Sequence, residues 1–94
     1  MKTYPLTKSL PLGQTVITAR ALDRLHPADV CEALQRHARG DWGDLSETDQ
    51  AENELSLPQG LRLLSAYHDR KGTKFWIITE PDHSSTVVAL AEDY

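Results

Sequence analysis

The string Thr79-Glu-Pro-Asp-His-Ser-Ser-Thr86 sets a histidine among carboxylates and hydroxyls in one short stretch. Histidine titrates near neutral pH and can both take and give a proton. His68 and Arg62 bracket a β-prone run earlier in the chain, and Glu80 stands three residues before His83. Histidines, a glutamate and an arginine are what a metal-free ribonuclease uses on a phosphodiester. The histidines move protons and the arginine holds the phosphate. His83, His68, Glu80 and Arg62 are therefore the candidate catalytic residues. The competing reading is turn chemistry, because Pro, Asp and Ser favour turns for backbone reasons alone.

A second constellation is electrostatic. Asp41, Asp44, Glu47, Asp49, Glu52 and Glu54 lie in a stretch to Leu61 that contains no lysine or arginine. Net charge is −4 overall, so these six acids leave a net +2 on the rest of the chain. Such a belt steers a basic partner and competes for a groove that otherwise holds nucleic-acid phosphates. Trp42 sits between two Gly-Asp pairs and looks exposed, and tryptophan is enriched at binding hot spots. Asp41, Trp42, Asp44, Glu47, Asp49, Glu52 and Glu54 are thus the candidate partner-binding residues. The alternatives are a solvated helix face and a Trp42 folded into the core.

No metal site or other cofactor is expected. Asp41 with Asp44, or Glu47 with Asp49, offers oxygens, but the run lacks the alternating ligands and central glycine of a calcium loop. One cysteine and four dispersed histidines do not make a zinc site. Phosphate-binding glycine loops, nucleophile elbows and dinucleotide fingerprints do not occur.

These groups need a scaffold, and 94 residues provide one domain spanning 1–94. The lone Cys31 has no partner for an internal disulfide, which predicts a cytoplasmic protein. No apolar run is long enough to span a membrane, and the first residues lack a signal peptide's apolar stretch. The pI near 5.4 argues against direct nucleic-acid binding.

Pro5, Pro11 and Gly13 predict that residues 1–12 are extended or loosely attached. Gln14 to Thr18 is a short β-prone run. Thr18 should cap a helix from Ala19 to Leu25 with Ala19, Leu22 and Leu25 inward. Pro27 should open a second helix, with Val30, Cys31, Leu34 and Ala38 as its buried stripe and Gly40 past its end. His37, between Arg36 and Arg39, suits the negative end of that helix, or else reaches His83 across the fold. Ser46 to Asp49 has capping-box spacing and predicts a third helix to about Ser56, with Ala51, Leu55 and Leu45 inward.

Three strands should follow, over Leu61 to His68, Lys74 to Glu80 and Thr86 to Leu90. Leu64, Ala66, Ile77 and Val88 are expected on one face, with Trp76 and Ile78 on the other. The fold class is α+β, with two or three N-terminal helices packed on a three- or four-stranded antiparallel sheet.

Several strings resemble a family of short proteins encoded on bacterial plasmids and integrative elements. They are Arg36-His-x-x-Gly-Asp-Trp-Gly-Asp-Leu45, Asp49 with Asn53-Glu54, Arg62-Leu-Leu-Ser-Ala-Tyr67, Gly72-Thr-Lys-x-Trp-Ile-Ile-Thr-Glu80 and Asp82-x-Ser-Ser-Thr86. The quoted strings run from Arg36 to Thr86, and the resemblance as a whole covers about residues 12–94. Members tend to carry arginine where His83 stands here, which counts against a catalytic His83. The resemblance implies a mobile-element gene, of the kind that blunts host restriction or CRISPR defence. The C-terminal strands are also similar, in pattern only, to barnase-like ribonucleases.

The leading expectation is a non-enzymatic factor that binds a host protein through that protein's basic nucleic-acid surface. It would act as an anti-restriction or anti-CRISPR inhibitor by mimicry, as a monomer or homodimer, without a membrane. The runner-up is the small metal-free ribonuclease. A third reading is a dimeric module pairing through an exposed strand edge.

Overall fold

The computed structural model describes residues 10–93. Most of the stretch expected to be loosely attached lies outside these residues. The elements are β1 (Gln14–Ile17), α1 (Ala19–Arg24), α2 (Pro27–Ala38), α3 (Glu47–Ser56), β2 (Leu63–His68), β3 (Lys74–Thr79) and β4 (Ser85–Leu90). One-turn 3-10 helices follow α3, β3 and β4.

The helix starts are set by their caps. The Thr18 hydroxyl accepts from the Ala21 N–H, and Ser46 accepts from Asp49 N–H. Pro27 occupies the first turn of α2, where a missing N–H costs nothing. Asp29 near the start of α2 and Arg36 near its end complement the helix dipole.

The sheet order is β1-β4-β3-β2, and this corrects the expected antiparallel sheet. β2, β3 and β4 form antiparallel pairs, but β1 lies parallel to β4, from Gln14 opposite Ser85 to Ile17 opposite Val88. The sheet is mixed because β1 leads directly into α1. The chain then passes through all three helices to β2 at the far edge and returns through β3 to β4.

Register fixes the faces. Ser65 opposes Ile77, which opposes Val88, and Leu64 opposes Ile78. Leu64 and Ala66 therefore share a face with Trp76 and Ile78, not with Ile77 and Val88 as the alternation suggested. Helices α1 and α2 cover the Ile77 face. There Ala21, Leu25, Val30 and Ala33 pack with Tyr67, Phe75, Ile77, Val88 and Leu90.

Five expected inward positions turn out instead: Ala19, Leu22 and Cys31 on the first two helices, and Ala51 and Leu55 on the third. Leu22 and Cys31 are exposed, because α1 and α2 present Ala21, Ala33 and His37 to the sheet. In α3 both Ala51 and Leu55 face solvent, and its one buried residue is Asn53.

Asn53 does something an apolar residue could not. Its amide donates to the Leu64 carbonyl at 2.6 Å and accepts from the Leu64 N–H at 3.2 Å. It thereby stands in for a neighbouring strand along the outer edge of β2. Two residues on, the Ala66 N–H donates to the Trp42 carbonyl and Asp44 N–H donates to the Ala66 carbonyl. The β2 edge is thus closed by side chain and loop, which removes a template for strand addition.

Gly43 makes that closure possible. Its φ is +73°, and a Cβ there would collide with the Ala66 carbonyl oxygen and the Tyr67 ring. Gly43→Ala is expected to destabilise the fold by about 2 kcal/mol or more, through a strained backbone and a broken edge closure. Urea denaturation checks this, and an unchanged midpoint would rule out the close approach.

Candidate functional site

Three of the six belt acids serve the body of the protein. Asp41 forms a two-pronged pair with Arg36, at 2.7 and 3.2 Å. That guanidinium holds the Asp41 carboxyl below its ordinary range, and Asp41 in turn raises Arg36. Asp44 lies 2.7 Å from His68 Nδ1. Glu54 accepts from the Trp42 indole N–H at 2.7 Å.

Trp42 is buried, only 3% exposed, which corrects its assignment to a docking surface. Its ring meets the His37 imidazole edge-on, with centroids 5.6 Å apart. The indole is the core of the loop between α2 and α3, and Glu54 satisfies its one polar atom.

Glu47, Asp49 and Glu52 remain. All three are exposed on α3, and their carboxylates form no ion pair or hydrogen bond among the described residues. Asp49 and Glu52, three residues apart, share a face of the helix. They wall a cleft of about 380 Å³ between α3 and the sheet face bearing Leu64 and Trp76. Arg62 also lines it. The Lys74 ammonium stands 4.9 Å from the centre of the Trp76 ring. The site is therefore a half-apolar cleft beside a free acidic helix face.

The four candidate catalytic residues do not converge. Arg62, Glu80 and His83 lie at the end of the sheet where Leu63 opposes Thr79. His68 opposes Lys74 at the other end, five residues along β2, or about 17 Å at strand spacing. His68 is moreover held by Asp44. The two histidines cannot act together on one phosphodiester in this arrangement. The 3-10 turn that carries His83 has left-handed backbone at Asp82 (φ 69°) and His83 (φ 56°), and His83 Nε2 is buried without a partner among the described residues.

The polar centre that pattern reading missed surrounds His37, which is fully buried rather than capping a helix end in solvent. His37 Nδ1 meets the Ser65 hydroxyl, and Nε2 lies 2.8 Å from Thr79 Oγ1. Thr79 meets Thr86 at 2.8 Å, and the Thr86 hydroxyl donates to the Leu12 carbonyl at 2.7 Å. A carbonyl can only accept, so each hydroxyl must donate onward and His37 must donate from Nε2. Ser65 then donates to Nδ1. Burial, with a smaller contribution from the charge of His83, pushes the His37 pKa down to about 4. His37 is neutral at pH 7. Its proximity to His83 was one of the two sequence readings, but both ring nitrogens are committed to structure.

Nearby, the Tyr67 hydroxyl donates to the Asp41 carbonyl at 2.6 Å, and burial raises its pKa to about 12. Arg36 lies over the same ring. These contacts hold the start of the belt against the sheet. Among the described residues no group of His, Cys, Asp or Glu could hold a metal ion, and no helix is long and apolar enough to cross a membrane. No family model matches the chain, and neither does any curated protein or solved structure.

Proposed function

We propose that this protein is a non-enzymatic binding factor that docks the acidic face of α3 on the basic nucleic-acid-binding surface of another protein. The observation that carries this reading is the division of labour within the belt. Asp41, Asp44 and Glu54 fasten the belt to the body, while Glu47, Asp49 and Glu52 stand exposed and unpaired among the described residues. A charged surface held rigid loses little entropy on binding, and local charge density speeds encounter with a cationic groove. The adjoining cleft, floored by Leu64 and Trp76, supplies apolar area to a mainly electrostatic contact.

The likeness of the Gly-Asp-Trp-Gly-Asp and Lys-x-Trp-Ile-Ile-Thr-Glu strings to short plasmid-borne proteins supports a cytoplasmic mobile-element product. The target would then be a host restriction or CRISPR complex.

The test is capture from a bacterial lysate, with wild type beside a Glu47/Asp49/Glu52→Lys variant. At Glu47 and Asp49, in the first turn, lysine costs about 0.3–1 kcal/mol each, and Glu52 is exposed beyond that turn, so the variant should still fold. The expected result is a nucleic-acid-binding protein retained by wild type and lost from the variant. Its association rate should fall steeply with salt. A partner held equally by both proteins would overturn the proposal.

A further inference from the structure

We infer that β1 is a self-association edge, and that a second copy of this chain pairs with it antiparallel to extend the sheet. β1 ends the strand order, so among the described residues only one of its sides is paired within the sheet. The Gln14 N–H donates to the Ser84 carbonyl and the Thr18 N–H to the Val88 carbonyl. In a parallel ladder this directs the even-numbered residues at β4 and turns the N–H and C=O of Thr15 and Ile17 outward.

The two ends of the sheet are treated differently. The β2 edge is blocked by Asn53 and by the loop from Trp42 to Asp44. Gln14-Thr-Val-Ile17 is short, but it carries no lysine, no proline and no other charge.

The outward groups also fix a register that suits two identical strands. Thr15 of one copy pairs with Ile17 of the other, and Ile17 with Thr15, so four backbone hydrogen bonds form about a two-fold axis. The two Val16 residues then face each other as the close, non-hydrogen-bonded pair. Val16 is 42% exposed in the single chain. A copy of β1 satisfies both free edges at once by one repeated contact, as an isologous pairing requires.

The surroundings fit as well. An apolar groove of about 250 Å³ runs beside the edge, lined by Ile17, Leu22, Leu25, Val30, Cys31 and Leu34. Leu22 is 64% exposed. Joining two sheets at this edge would bring the α1 and α2 layers of both copies together over the two grooves and cover Leu22 and Cys31.

Sedimentation velocity on the full chain across a wide concentration range tests the inference. The expected result is a concentration-dependent species of twice the 10.5 kDa chain mass. Thr15→Pro removes an outward N–H without touching the β4 ladder, and should leave a folded monomer. Leu22→Glu, at an exposed site, should weaken the dimer without affecting folding, so a misfolded proline variant does not end the test. Maleimide labelling of Cys31 should slow as wild type is concentrated, and should not slow in either variant. A single-chain mass at every concentration would overturn the inference. So would a dimer that appears only when residues 1–9 are deleted, which would assign the edge to the chain's own N-terminus. Neither outcome bears on α3, which lies on the other side of the molecule's sheet order, beside β2.

Discussion

Trp42→Ala should remove about 3–5 kcal/mol of stability, the range for deleting a fully buried large aromatic side chain. A domain of this size has about 5–15 kcal/mol in total. The effect should exceed that of any single belt acid, because three elements meet at this one side chain. Its ring packs edge-on against His37 of α2, its N–H reaches Glu54 of α3, and its own carbonyl receives the Ala66 N–H of β2. The backbone contact survives truncation; the other two do not. Glu54 is exposed and regains water, so the loss comes from the indole and the cavity it leaves. Trp42→Phe keeps most of the apolar contact and should cost less than the alanine variant. Urea denaturation of the three proteins reads this directly, with Trp76 as a remaining fluorophore. An alanine variant within about 1 kcal/mol of wild type would mean that Trp42 is not the core of its loop.

The second large effect concerns acid. The His37 pKa is lowered in the folded state to about 4 from an unfolded value of 6.5. The folded protein therefore binds fewer protons than the unfolded chain between these pH values. The stability is fully present above pH 6.5 and drains as pH falls toward 4. With 1.36 kcal/mol per pH unit, the loss across that window is about 3 kcal/mol. Asp41 and Asp69 are lowered below 3.8, and Asp29 to about 2. Their contributions fade only at still lower pH, so the two phases are separable. Urea midpoints measured from pH 7.5 to pH 4.5 should fall continuously. A His37→Gln variant, which can still donate and accept but does not titrate, should be nearly flat over the same range. A wild type with flat midpoints would show that His37 takes up its proton without disturbing the buried chain of hydroxyls.

The local features of this fold were legible in its residues, and the non-local ones were not. Thr18, Pro27 and Ser46 mark helix starts through side-chain and backbone chemistry confined to one turn, and the structure places all three starts there. The three C-terminal strands stand within two residues of their expected bounds. The parallel pairing of β1 with β4 joins residues about seventy positions apart, and nothing in Gln14 to Ile17 names its neighbour. Helix faces were misjudged for a related reason. Hydrophobicity favoured Leu22, Cys31 and Leu55 as inward residues, but the space under the helices suits Ala21 and Ala33, and the β2 edge needs an amide rather than a leucine. Ser65, Thr79 and Thr86 face inward at alternating strand positions among apolar neighbours. That pattern was visible, and three buried hydroxyls require a polar partner such as His37. The belt was half read: its charge is evident in composition, while the pairings that consume Asp41, Asp44 and Glu54 depend on tertiary contacts.

The amide of Asn53, paired to both backbone groups of Leu64, has a consequence for growth. A sheet with two open edges is a bifunctional monomer and can polymerise end to end. With β2 sealed, this sheet has one reactive end, and a monofunctional unit reacts once and stops. Asn53, together with the Trp42–Asp44 loop on Ala66, is thus a chain terminator. Opening both caps would convert a closed pair into a unit able to propagate, and the first sign would be fibrous material rather than a lost partner.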